Sequence, residues 1–262
     1  FNSKVEIESQ MEDMAAKYSK EKGVDVEVYY SNDTVAAHLA TKYASKDPYT
    51  ISMVDAKDIY SLAEEHAVDL SDQDWVKDTD YAISINGKTY GFPVSIEARG
   101  LIYNADAIKQ VTGKEFKPEN YKTLDEFKDL IDELKAGGME SPTGVMKEDW
   151  SLAGHFLPEV YEEQEDPDAF CHELKDGKVD LSSNAKWNSL MDFFDVMKDN
   201  NYAKSSAISA EREVTEQKLA EGEIAFMFGG NWDWSVLNQY DYTENMGLMP
   251  VPQNTDDGSN EK

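Results

Sequence analysis

Four short stretches of this sequence place aromatic rings or acids beside side chains that make directional hydrogen bonds. Gly229 and Gly230 follow the apolar run Ile224–Phe228 and lead into Asn231, Trp232, Asp233 and Trp234. Glu97 and Arg99 lie between Phe92-Pro93 and the apolar Leu101-Ile102-Tyr103. Asp55, Ala56, Lys57 and Asp58 follow Ile51–Val54. Trp150 comes directly after Glu148 and Asp149, with His155 further on. An indole offers a flat apolar face, while carboxylates, amides and guanidinium groups satisfy hydroxyls. Together they suit a sugar ring, which has apolar C–H faces and a rim of hydroxyls. An indole beside a carboxylate also suits a cation. Each stretch has a plainer alternative. Trp232 and Trp234 can anchor a core, Glu97 and Arg99 can form an ion pair, and Asp55 can cap a helix. His155 can sit in a core or in solvent.

Other chemistries find little support. His38, His66, His155 and His172 have no metal-ligand spacing, and Asp72-Gln73-Asp74 lacks the glycine and final glutamate of a calcium loop. No metal site and no cofactor are expected, since phosphate-binding and dinucleotide-binding glycine patterns and a nucleophile elbow are missing. Asn32-Asp33-Thr34 matches a glycosylation sequon. Cys171 is the one cysteine, so no disulfide framework exists, and a structural cysteine is expected there. The 53 acidic and 25 basic residues leave a net charge of −28. A surface this negative repels phosphate backbones and anionic lipid, which argues against nucleic-acid or membrane-surface binding. No apolar run has the length of a bilayer span. Without an initiating Met, and with Phe1 close to a helical pattern, the chain is expected to be part of something larger.

The elements that would carry these residues can be read from periodicity. Ser3-x-x-Glu6 predicts a capping box opening a helix that ends at Gly23. Alternation predicts a strand over Val24–Tyr30, and Thr50–Val54 reads as a short buried strand. Helices are predicted from about Thr34 to Ala44 and from Asp55 to His66, which makes the first third look like βαβ units on a parallel sheet. Asn86-Gly87 predicts a hairpin between Tyr81–Ile85 and Lys88–Phe92. Trp75 is expected to pack its loop onto the first lobe. Leu101–Tyr103 is a predicted strand, followed by a short helix from Asp106. Thr123-x-x-Glu126 predicts a second capping box, with the helix ending at Gly137-Gly138. Further helices are predicted near Trp150–Tyr161, Lys186–Lys198 and Ser209–Ala220, with strands over Ile224–Phe228 and Met246–Val251. A helix is expected to open at Asn231–Trp234, and the tail Pro252–Lys262 reads as a loop.

Motif order then adds a family. Tyr90-Gly91-Phe92-Pro93 followed by Ile96-Glu97-Ala98 and Leu101-Ile102-Tyr103-Asn104 resembles the crossover of family 1 extracellular solute-binding proteins, most nearly the maltose/maltodextrin branch. Thr123–Phe127 resembles that family's Thr-Trp-Asp-Glu helix start. Leu219–Met227, Gly230–Trp234 and Met249–Pro252 resemble its later signatures. The resemblance implies a two-lobed, type II periplasmic-binding-protein-like α/β fold with mixed sheets flanked by helices. Here it would lack the first strand and the C-terminal part. The expected lobes are residues 1–103 and 104–249, with 250–262 crossing back, and a ligand site between them. It implies an oligosaccharide of maltodextrin type delivered to the permease of an ABC transporter by a monomeric, non-enzymatic protein. The expected location is outside the cell, lipid-anchored or periplasmic. Trp232 would be the stacking platform and Glu97 an acceptor for sugar hydroxyls. Asp55, Lys57, Arg99, Trp150, Asn231 and Asp233 complete the expected ligand contacts. The competing readings are another solute, such as a polyamine, and a glycoside hydrolase using Glu97 with Asp55 or Asp233.

Overall fold

The computed structural model describes residues 1–4, 7–31, 34–147 and 150–253. The chain divides into two compact units, Phe1–Ile96 and the remainder from Glu97.

Among the described residues the first unit holds three α-helices, a short 3-10 helix (Asp74–Asp78) and a hairpin. Helix α1 (Glu8–Lys22) ends where Gly23 turns left-handed at φ 66° and donates its N–H to the Ser19 carbonyl. The Ser3–Glu6 capping box includes Glu6, outside the described residues, as do Asn32 and Asp33 of the sequon. Helices α2 (Val35–Ala44) and α3 (Ala56–His66) form where they were predicted. Strands β1 (Ile83–Ile85) and β2 (Lys88–Gly91) pair antiparallel. Their turn has positive φ at both Asn86 and Gly87, the tight geometry whose twist matches a hairpin. Trp75 meets Phe92 edge-on at 4.9 Å.

The predicted parallel sheet of this unit is reduced, among the described residues, to one parallel bridge between Asn2 and Met53. Val24–Tyr30 forms no ladder. Tyr29 accepts one bond from the Asn2 N–H, and Val24 and Val26 are exposed. Ile51, expected inside, is 78% exposed. Alternation supplies a face, but a strand forms only where a neighbour completes its hydrogen bonds.

The second unit has a full core. Strand β3 (Arg99–Asn104) is its centre and pairs antiparallel with β5 (Phe226–Gly230) on one side and β6 (Met246–Met249) on the other. The short β4 (Thr143–Gly144) lies parallel to β5, giving the order β4-β5-β3-β6. Successive strand residues face opposite sides. Leu101, Phe226 and Phe228 point to one layer with Phe127, Leu130 and Phe193. Ile102 and Met227 point to the other with Leu219, Ile224 and Leu237. The first layer comes from α4 (Ala105–Thr112), α5 (Leu124–Ala136), α6 (Pro158–Glu162) and α8 (Ala185–Asp199). The second comes from α9 (Arg212–Ala220) and α10 (Trp234–Leu237). Each fully buried phenylalanine here is worth about 2–3 kcal/mol of transfer free energy. Both bonds of the Thr123–Glu126 capping box are formed. Asn104 caps α4 by accepting from the Ala107 N–H, and donates to the Leu219 and Ala220 carbonyls, tying the sheet to α9.

Strand β4 and helix α7 (Pro167–Lys175) were not predicted; Asp166 caps α7 by accepting from the Ala169 N–H. Cys171 lies on α7 and is exposed, correcting the expectation of a packed structural cysteine: α7 buries none of its side chains. The tail beyond Gln253 lies outside the described residues.

Candidate functional site

The chemistry-bearing residues of the second unit gather at the end of β5. Gly230 is extended backbone (φ −153°), after which Asn231–Asp233 make one tight helical turn into α10. Asp233 is fully buried and holds that turn. Its Oδ2 accepts from the Gly230 N–H at 2.8 Å, and its Oδ1 accepts from Arg212 Nη2 at 2.7 Å. In this arrangement Asp233, an expected sugar contact, offers no exposed atom. The half-buried Trp232 projects from the same turn, with its carbonyl accepting from the Ser235 hydroxyl. Trp234 faces outward, 40% exposed, edge-on to Tyr242 at 5.2 Å.

Three rings from two separate stretches meet here. His155 lies 4.8 Å from Trp232 at an interplanar angle of 47°, and 5.6 Å from Trp150 at 87°. Trp150 opens a turn of wide π-helix, Trp150–Phe156, a widening that re-aims side chains. Glu148 and Asp149, read beside Trp150, lie outside the described residues.

The Glu97–Arg99 segment joins the same end of the sheet. Asn231 binds Ala98 twice, its N–H to the carbonyl at 3.0 Å and its Oδ1 to the N–H at 3.2 Å. Glu97 is exposed beside this contact. Arg99, opposite Gly230 in the ladder, donates through Nε to Glu159 Oε1 at 3.0 Å and pairs through Nη2 with Glu162. The ion pair envisaged for Arg99 therefore exists, with α6 carboxylates as its partners. Burial pushes the Glu159 carboxyl up to about 7 against the pull of Arg99.

Asp55 and Lys57 belong to the first unit. Asp55 occupies the N-cap position of α3 without a side-chain cap bond, pairing instead with Lys4 at 3.0 Å and Lys57 at 3.8 Å. Lys57 is largely exposed. Asp58, next along α3, is buried, and burial raises its carboxyl. Among the described residues no cluster of metal-ligating side chains occurs.

Arg212 was not legible as part of the site. It bridges Asp233 and Glu216, and its guanidinium lies 5.3 Å from the centre of the Trp150 ring. No spacing in the sequence links residues 150, 212 and 233.

A family model described as bacterial extracellular solute-binding protein matches residues 13–260. Among solved structures, the apo form of RafE from Streptococcus pneumoniae superposes with a TM-score of 0.74 at 21% identity, covering 97% of this chain and 66% of that one. RafE in complex with raffinose gives 0.78 at 21%, covering 99% and 68%. A sugar transporter from Bacillus licheniformis in complex with stachyose gives 0.67 at 20%, covering 97% and 67%. The chain thus spans about two thirds of the length of these structures, and at such identities the likeness establishes the shared periplasmic-binding-protein-like fold. The chain belongs to the bacterial extracellular solute-binding proteins, a family that binds solutes and does not turn them over.

Proposed function

We propose that this protein binds a neutral oligosaccharide on the Trp150–His155–Trp232 face and presents it to the permease of an ABC importer. The observation that carries this reading is the meeting of two indoles and an imidazole at one strand end, beside the exposed carboxylate of Glu97. Rings at an angle to one another suit successive sugar units, and Glu97 and Asn231 suit their hydroxyls. The sequence motifs favour a maltodextrin, while the similar structures were solved with raffinose and stachyose. The polyamine reading is weakened, because the Arg212 cation already lies over Trp150 and would compete with a cationic ligand. The hydrolase pairing of Glu97 with Asp233 loses its second member, since Asp233 is fully buried and bonded through both oxygens.

The test is calorimetric titration of the full-length protein with maltotriose, raffinose, stachyose and spermidine. One sugar series should saturate. Trp232→Ala should then weaken that sugar by about 30-fold or more, the worth of losing about 2 kcal/mol of stacking. Saturation by spermidine alone, or an unchanged Kd in Trp232→Ala, would overturn the reading.

A further inference from the structure

Gly229 and Gly230 stand in extended backbone, so a left-handed conformation is not what requires glycine at Gly230. The requirement is space. A Cβ on Gly230 would lie 2.2 Å from the Trp232 ring, and one on Gly229 would lie 2.1 Å from Asp233 Oδ2. The indole is folded back over one glycine and the carboxylate pressed against the other. From α9, Arg212 reaches both parts of the platform. Its Nη2 holds Asp233, its Nε donates to Glu216 Oε1 at 2.8 Å, and its guanidinium lies against the Trp150 ring. The Asp233 and Glu216 side chains have no exposed surface. The turn carrying Trp232 and the turn carrying Trp150 are thereby tied through one planar group.

We propose that Arg212, clamped by Asp233 and Glu216, is a positioning residue that sets the spacing and tilt of the Trp150 and Trp232 rings, and through them the shape of sugar the site accepts. This inference rests on reading that platform as the oligosaccharide site. Arginine suits the task because its planar fork can bond two carboxylates in fixed directions while its face lies on an indole. A lysine carries the same charge as a point and cannot do all three at once. Burial, and then the neighbouring Asp233 carboxyl, push Glu216 up to about 8. At neutral pH Glu216 therefore keeps its proton, and the clamp holds one cation against one carboxylate with no surplus buried charge. Removing the fork leaves Asp233 bonded to the Gly230 N–H but cuts the tie between its turn and the turn of Trp150, so the two rings can shift relative to one another.

The test uses the full-length protein labelled with 5-fluorotryptophan, each 19F resonance being assigned by Trp→Phe replacement. Arg212→Lys is compared with the parent in two readouts, the ligand-free spectrum and the Kd for the sugar the parent binds. The expected result is movement of the Trp150 and Trp232 resonances, with those of Trp75 and Trp187 in place. The Kd should weaken tenfold or more. Resonances of Trp150 and Trp232 that stay in place would overturn the proposal, as would an unchanged Kd despite their movement. Should Arg212→Lys not fold, Asp233→Asn removes the charge partner at equal volume and is read in the same way. If the parent binds no sugar, the sugar reading falls by itself, while the ligand-free spectra still decide whether Arg212 positions the rings.

Discussion

Replacing Glu216 by Gln removes a buried proton-binding group at almost constant volume. Glu216 accepts through Oε1 from Arg212, and its second oxygen is buried without a donor among the described residues. Its carboxyl is pushed from the ordinary 4.5 up to about 8, first by burial and then by Asp233. The groups facing it are Arg212 on its own helix, Asp233 on the turn below and Tyr240 beyond α10. The native state therefore holds this proton between pH 4.5 and about 8, where the unfolded chain has released it. Stability falls wherever the native state binds more protons, so it falls as pH rises through that window. Each pH unit there is worth up to about 1.4 kcal/mol. The pull of Arg212 is already contained in the carboxyl's value of about 8, so the loss integrated from pH 6 to pH 8 is about 2 kcal/mol. For a domain of this size that is roughly 4–8 °C in Tm. Glu159, raised to about 7, acts in the same direction, so the parent slope is the sum of both. Scanning calorimetry at pH 6 and pH 8 should show Glu216→Gln losing distinctly less Tm across the interval than the parent. An identical loss in both proteins would refute a proton held at Glu216.

Two further substitutions probe the platform and its support. Gly230→Ala sets a methyl 2.2 Å from the Trp232 ring, so the indole must leave its seat; sugar affinity should fall about as far as in Trp232→Ala, with about 1–3 kcal/mol of stability lost. Titration calorimetry with a parallel melt measures both, and full affinity would refute the seat. Arg99→Met strips the largely buried Glu159 of its cation and should cost about 3 kcal/mol in urea unfolding at pH 8, with less lost at pH 5 where Glu159 takes up a proton. Equal losses at the two pH values would count against burial of that carboxyl.

Features that depend on bonds within three or four residues were legible in the sequence. The Thr123–Glu126 box, the Asn86-Gly87 turn and the Gly23 helix stop all formed as the residue types dictate, because each satisfies its backbone locally. The passage from an apolar strand through Gly229-Gly230 into a helix at Asn231–Trp234 was also readable, since apolar run, glycines and helix start follow one another directly in the chain. What the sequence could not supply was the company each residue keeps. Val24–Tyr30 had the alternation of a strand but no neighbour to pair with among the described residues. Asp233 read as a ligand contact by type, yet packing turned it inward onto Gly229 and Arg212. Arg212 gave no signal beyond its i,i+4 spacing to Glu216, because the residues that tie it to the site lie 62 residues before it, at Trp150, and 21 after it, at Asp233. A local pattern records what the backbone needs over one turn. Whether a charge is buried, and which ring it steadies, depends on free energies that exist only once distant segments have excluded water from between them.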